Sequence, residues 1–525
     1  MGEIKFPASV ERWEIFEIAA EGETGGNPFT DTVISAEFKG RLEEKTVNGF
    51  YDGESMYRVR FMPSFEGEYH FRLYLGNSEA MSLLGEGCFM AAPASERNHG
   101  PVRVRNRHHF CYEDGTRFDP VGTTCYAWVH QGRELQERTL ETLKNSCFNK
   151  IRFCIFPKHY RFNFKEPECY PYEGEPEEFG TLTWDNFVDV KFSTKSRWDF
   201  TRFVPEYFRR IEKRIGDLKK LGIEADLILL HPYDRWGFAL MPYWAEELYY
   251  RYVTARFGAY RNVWWSQANE YEYMPGKTEA DWDRLGELLR REDPYQHLRS
   301  IHNNRHFYDH TREWITHCSI QRVDMYKTVE ETDLWRVRWD KPVVVDEMCY
   351  EGDICMDWGN ISGRELVRRS WEITVRGGYA GHGETFESPD DILWWSHGGV
   401  LHGESEPRLR FLKEILAQVP GDGLRFVDFK ESGIEGGGPC GEAEGAENAE
   451  GWGFHRIYYF GWCCPRRKRF RLPEGHSYRI DVIDTWNMTV ASEDWRVPAA
   501  GGGTGSVCVE LPGREYMAVR IRGIS

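Results

Sequence analysis

Trp264-Trp265-Ser266-Gln267-Ala268-Asn269-Glu270 reads as an apolar strand over 262–266 that runs into a polar tip, and Pro342-Val343-Val344-Val345-Asp346-Glu347 has the same form. A short β-branched or aromatic run without alternation is what a strand buried on both faces looks like. Further runs of this kind lie at 150–156, 224–230, 299–302, 315–320 and 378–381, preceded by Asp119-Pro120-Val121-Gly122-Thr123-Thr124. Between them, segments at 135–145, 202–221, 243–257, 279–291 and 364–375 repeat apolar residues at three- and four-residue intervals, the period of amphipathic helices. Strand-then-helix units repeated over about 300 residues predict a closed parallel (β/α)8 barrel. The rival topology, an open doubly wound sheet, would carry a Gly-rich phosphate turn after its first strand. Gly122-Thr123-Thr124 is not one.

Outside this stretch the texture changes. The first ~90 residues alternate in short strand-like runs broken by Asn48-Gly49 and Glu66-Gly67, which predicts a β-sandwich over 1–95. Pro420-Gly421-Asp422-Gly423 marks the end of the barrel, which spans 100–422. The Gly/Glu-rich segment 435–451 reads as a mobile loop, and strand-like runs at 456–460, 478–484, 507–511 and 516–521 predict a second small β-sandwich over 430–525. The expected fold is therefore multidomain α/β, a TIM barrel flanked by two β-sandwiches.

The net charge of −17 argues against a nucleic-acid partner, because phosphate binding needs clustered cations. The basic run Arg466-Arg467-Lys468-Arg469 precedes a strand-like segment and reads as a solvated hairpin edge. No apolar run approaches the roughly 20 residues of a membrane span. The start lacks the pattern of a secretory leader, and the 13 cysteines are scattered without a C-x-x-C pair, so reduced thiols and a cytoplasmic setting are expected. No cofactor or metal is expected, and a homo-oligomer stays open.

In a barrel of this type the active site sits at the C-terminal ends of the strands. Those ends offer Tyr126 and Trp128, Arg152 and His159, His231, Tyr233 and Asp234, Asn269 and Glu270, His302 and Asn303, His317 and Gln321, Asp346 and Glu347, then His382, Glu384, Trp394 and Trp395. Two carboxylates stand out, Glu270 closing the fourth strand and Glu347 the seventh. Glycosyl transfer with retention needs one carboxylic acid to protonate the leaving oxygen and one carboxylate to attack the anomeric carbon, about 5–5.5 Å apart. Strands four and seven face each other across the barrel, so their tips can flank a sugar.

Asn-Glu at the end of strand four with Glu at the end of strand seven resembles the signature of clan A glycoside hydrolases. Asp119-Pro120-Val121-Gly122-Thr123-Thr124-Cys125-Tyr126-Ala127-Trp128 resembles, more narrowly, the apiosidase-like barrel family. The flanking β-segments are similar to the small β-domains that precede and follow such barrels, so the resemblance spans nearly the whole chain. It implies Glu270 as acid/base, Glu347 as nucleophile and Asn269 as a donor to the hydroxyl beside the anomeric carbon.

The roles set physical demands. Glu270 needs a raised pKa, from burial and from the charge of Glu347, and Glu347 must stay ionised. Arg152 is placed to hydrogen-bond the nucleophile, although a surface salt bridge is the plain alternative. Asp346 points to the opposite strand face and reads as structural. Glu272 is the local competitor for acid/base. His231, His302 and His382 can orient sugar hydroxyls, or be satisfied buried histidines. Trp394 and Trp395 can form a sugar-stacking wall, with Tyr126, Trp128 and Trp236 as weaker candidates and core packing as the alternative. Glu384 joins the substrate-binding set by its place beyond strand eight. The resulting expectation is a retaining hydrolase, exo-acting on small oligosaccharides or glycosides. Inverting or transglycosylating use of the same carboxylates, a sugar-binding protein with a degenerate barrel, and a metal-dependent hydrolase using the histidines are the alternatives.

Overall fold

The computed structural model describes residues 4–524 apart from 23–24, 327, 389–392, 447–452, 500 and 502. At its centre stand eight strands: Gly122–Thr124, Lys150–Cys154, Glu224–Leu230, Val263–Ala268, Arg299–Ser300, Cys318–Gln321, Val343–Glu347 and Tyr379–His382. Each pairs in parallel with its neighbours in chain order, and the eighth pairs with the first. The fifth and sixth meet only through the single bridge His302–Ser319, which closes the barrel. The fourth and seventh strands are therefore separated by two short strands on one side.

The helices follow the sequence period closely. Tyr243–Phe257 and Gly363–Val375 lie where the apolar repeats predict. Glu279–Glu292 starts on a capping box between Thr278 and Asp281, and Pro205–Leu221 stops at Gly222, whose φ of 71° ends a helix without a Cβ penalty. Two elements escape the pattern. The hairpin Tyr172–Glu175 with Arg197–Phe203 is inserted after the second strand, and Thr332–Trp339 is a helix too short to show a period.

Side chains pointing into the barrel form a polar plug rather than an apolar one. Lys150 Nζ lies 2.6 Å from Asp226 and 2.9 Å from Asp346, all three buried. Such a triad holds only because each charge has a partner. Beneath it the hairpin Val102–Arg105 with His109–Tyr112 seals the barrel floor. Phe110 packs there against Trp264 and Tyr379, each with ring centres 5.3 Å away.

The N-terminal region forms sheets of four and five strands over a common aromatic core. It docks on the barrel through a buried ion network, in which Arg60 donates to Glu212 at 2.7 Å and Arg256 to Asp52 at 2.8 Å. The C-terminal region is a six-stranded sheet facing a two-stranded one, and helix Gly363–Val375 packs on it through Trp371 and Tyr459. The expected loop at 435–451 is corrected in part. Cys440–Glu444 is a strand paired on both edges, because Cys440 is buried and the ladder accepts glycine. Residues 447–452 of that segment lie outside the described residues. The basic run enters the exposed-faced strand Arg467–Pro473.

Candidate active site

Glu347 ends the seventh strand. A register shift between Ile320 and Gln321 brings Gln321 opposite it. Asp346 points the other way, into the polar plug, and accepts from Ser319 at 2.5 Å. Glu270 follows the fourth strand with φ 48° and ψ 58°. A non-glycine residue in this left-handed region costs of order 1–3 kcal/mol and is kept where the surroundings force it. Here it turns the side chain toward the sixth strand.

Each carboxylate has its own set of partners. Glu347 Oε1 accepts from the Tyr126 hydroxyl, and from Arg152 Nη1 at 3.4 Å. His302 Nε2 lies 3.2 Å from the same oxygen. Burial alone would push the Glu347 carboxyl up. The hydrogen bond and charge of His302, the Arg152 guanidinium and the Tyr126 hydroxyl outweigh that and hold it at about 2. Glu270 accepts from the Tyr233 hydroxyl, from Asn304 Nδ2 at 2.6 Å and from Gln321 Nε2 at 3.2 Å. Its pKa is nevertheless raised, first by burial and then by the negative charge of Glu347. Gln321 links the two sets, since its Oε1 lies 3.2 Å from His302 Nε2. Both carboxylates are nearly enclosed, at 5% exposure for Glu270 and 6% for Glu347.

Asn269 is oriented by the same network. Arg152 Nη1 donates to its Oδ1 at 2.9 Å, and the Tyr126 hydroxyl lies 3.0 Å from that oxygen. With the carbonyl taken, the amide Nδ2, which makes no hydrogen bond among the described residues, is the side that can donate to a ligand. Trp395 packs around the site with Tyr126, Tyr160, Phe162, Tyr350 and Trp358. Tyr126, Arg152, Asn269, His302 and Trp395 thus converge on the two carboxylates.

Five other expected residues do not join them. His382 faces outward with Thr123, whose Oγ1 is 2.9 Å from its Nδ1, and packs against Phe148 with the rings tilted. Trp394 donates to the same Thr123 hydroxyl. Glu384 accepts backbone N–H groups of His402 and Gly403, anchoring that loop. His231 lies 3.2 Å from the Phe156 carbonyl and accepts from the Tyr233 N–H. Trp128 packs against Phe153 in the helix-facing core. Strand alternation turns His382 to the outer face, local backbone groups take Glu384 and His231, and Trp394 and Trp128 lie on short helices and pack into the core. Glu272 is likewise occupied, accepting the N–H groups of Asn304, Arg305 and His306.

Tyr233, Asn304 and Gln321 stand at strand ends or loops that the sequence marks only as polar. Lys158 carried no signal at all, lying four residues beyond the second strand. Among the described residues no group of three His, Cys, Asp or Glu side chains is arranged to hold a metal. No described helix is long and apolar enough to cross a membrane.

Residues 104–386 match the family described as apiosidase-like, catalytic domain. The chain belongs to the apiosidase-like family. Residues 9–76 and 448–522 match two domains of unknown function, DUF5060 and DUF5605. A crystal structure from Bacteroides vulgatus, provisionally described as a glycoside hydrolase, is 34% identical. That similarity covers 99% of this chain and 100% of the other, with a TM-score of 0.87. Cellulase Cel5C_n is 13% identical over 60% of this chain and 89% of its own, with a TM-score of 0.39. A β-glucuronidase from Ruminococcus gnavus is 10% identical over 78% and 66%, with a TM-score of 0.38. These last two carry no argument about this chain. No curated protein sequence matches it. Family and full-length relative together make the apiosidase-like protein glycoside hydrolase-like.

Proposed function

We propose that this protein is a retaining glycoside hydrolase in which Glu270 is the acid/base and Glu347 the nucleophile. The observation that carries the reading is the opposite treatment of two neighbouring buried carboxylates. Glu347 is held ionised by His302, Arg152 and Tyr126, while burial and the charge of Glu347 favour the protonated form of Glu270. That division is what double displacement requires. Glu270 gives its proton to the leaving oxygen as Glu347 bonds to the anomeric carbon. The charge on Glu347 is then gone, the pKa of Glu270 falls, and Glu270 accepts a proton from the attacking water. Asn269 Nδ2 donates to the adjacent sugar hydroxyl, and Trp395 with Tyr160 offers apolar faces to the ring.

The enclosed carboxylates favour a chain end over a chain interior, so exo action on small oligosaccharides or glycosides is the accompanying proposal. A reducing, cytoplasmic setting is supported by the free state of all thirteen cysteines. The domain limits 1–95, 100–422 and 430–525 are proposed on the same footing. The test is a panel of 4-nitrophenyl glycosides with wild type and Glu347→Ala, reading the first-formed anomer by proton NMR. Loss of hydrolysis in the variant and a retained anomer are expected. Undiminished activity in Glu347→Ala refutes the mechanism, and an inverted product reassigns Glu347 as a base.

A further inference from the structure

Several buried cations in this barrel have counter-charges. Lys150 has Asp226 and Asp346, Arg152 has Glu347, Arg256 has Asp52, and Lys277 has Glu246. Lys158 is the exception among those near the carboxylates. It is 2% exposed, and among the described residues no carboxylate lies within ion-pair distance and no hydrogen bond is made by its ammonium. Aromatic faces surround it instead. Nζ lies 3.5 Å from the ring centre of Tyr126, 4.3 Å from Tyr233, 4.6 Å from Trp395 and 5.6 Å from Tyr160. Tyr126 is the phenol on Glu347 and Tyr233 the phenol on Glu270, so this ammonium stands inside the site, between the two halves of the catalytic machinery.

Such an arrangement is costly. Ring faces attract a cation through their quadrupole but accept none of its three N–H bonds well. A buried charge left without a hydrogen-bonded partner costs several kcal/mol. Glu270 and Glu347 act on the ammonium only through their charge, since Glu347 is hydrogen-bonded by Arg152 and Tyr126 with His302 beside it, and Glu270 by Tyr233, Asn304 and Gln321. Burial pulls the ammonium down to about 8, so it remains a cation at neutral pH. A neutral hydroxyl would satisfy one N–H and leave the charge without a contacting counter-charge. An anionic oxygen group satisfies both.

A second observation points the same way. Arg161 lies over Trp184 and Phe187, and Lys191 over Phe192 and Tyr233. Neither has a carboxylate within ion-pair distance among the described residues. Both flank the Tyr160–Tyr233 and Tyr160–Phe187 contacts that continue outward from Lys158. A chain of net charge −17 thus collects three unpaired cations along one side of its site entrance, a local field that draws anions inward.

We propose that Lys158 is the recognition group for an anionic substituent, a carboxylate or a sulfate, on the sugar that enters this site, with Arg161 and Lys191 forming the positive approach to it. This deepens the glycoside hydrolase reading and rests on it, naming acidic sugars as the substrate class.

The test measures binding by isothermal titration calorimetry on the full chain carrying Glu347→Ala. The probes are oligosaccharide pools from glucuronoxylan, polygalacturonate and alginate, each beside its carboxyl-reduced counterpart, and sulfated carrageenan oligosaccharides beside their desulfated form. At least one acidic pool is expected to bind on the order of 100-fold tighter than its neutral counterpart, the scale of a desolvated charge pair. The preference should collapse to within about threefold on adding Lys158→Met and persist on adding Lys158→Arg. The carboxylate and sulfate arms identify the anion. The comparison of reduced and unreduced pools requires no change at Lys158, so a folding defect in Lys158→Met does not decide the result. Equal binding of acidic and neutral pools, binding of none of them, or a preference that survives Lys158→Met overturns the proposal. Cleavage of the same pools by wild type is read separately. Acid-selective binding without cleavage refutes the hydrolase reading alone, and cleavage without acid preference refutes this one alone.

Discussion

Replacing Arg152 with methionine removes one of the groups that favour the ionised form of Glu347. The gap between the ordinary carboxyl value of 4.5 and about 2 corresponds to ~3 kcal/mol by which the fold favours the Glu347 carboxylate over its acid. Because the folded value is depressed, this stabilisation is present above pH 4.5 and is lost as pH falls from there through about 2. Arg152 shares that effect with His302 and Tyr126 against the opposing burial, so its loss should raise the Glu347 pKa and move the acid limb of kcat/KM to higher pH. The substitution also strips a donor from Asn269 Oδ1 and Ser266 Oγ and leaves a buried carboxylate short of a counter-charge, a loss of ~3–5 kcal/mol in stability at neutral pH. Glu347→Gln in the same chain neutralises that carboxylate and should return about 2 kcal/mol of it. The assays are the pH dependence of kcat/KM on an activated glycoside, and urea unfolding of wild type, both single variants and the double variant. An acid limb that does not move, or a coupling between the two positions below ~0.5 kcal/mol, would refute the reasoning.

Other outcomes follow from the same geometry. Tyr233→Phe removes a donor to the Glu270 carboxylate, so the pKa of Glu270 should rise further and the basic limb of kcat/KM should move to higher pH, read from the same profile. His302→Gln should lower kcat/KM at least about tenfold, because it removes the imidazole contact to Glu347, the proposed nucleophile, whereas His382→Gln should lower stability with little change in kcat/KM. Steady-state kinetics beside thermal unfolding separates the two. Phe110→Ala empties the barrel floor beside Trp264 and Tyr379 and should cost ~3–5 kcal/mol in urea unfolding, with KM unchanged.

The barrel was readable because both of its periods are local. A strand buried on two faces must be apolar throughout, as in Val343–Val345, and a covering helix must repeat apolar residues every three or four positions, as in Tyr243–Phe257. Glu270 and Glu347 were readable for a related reason, since a polar residue ending such a strand stands at the barrel mouth. Elements without a period, such as the hairpin after the second strand and helix Thr332–Trp339, were not.

Tertiary structure decided which way each strand-end side chain turns. His302 and His382 occupy equivalent places in the sequence pattern, yet one touches Glu347 and the other Thr123 and Phe148. A bulge or one residue of register exchanges the two faces of a strand, and that shift leaves no mark on composition. It also decided the surroundings of Lys158, because an unpaired cation is defined by what lies within a few ångströms of it, contributed by Tyr126 and Tyr233 from two loops and Trp395 from the helix Trp394–His397. The sequence by itself determined the barrel and its two carboxylates. Long-range packing decided their partners, and with them the opposite directions in which their pKa values move.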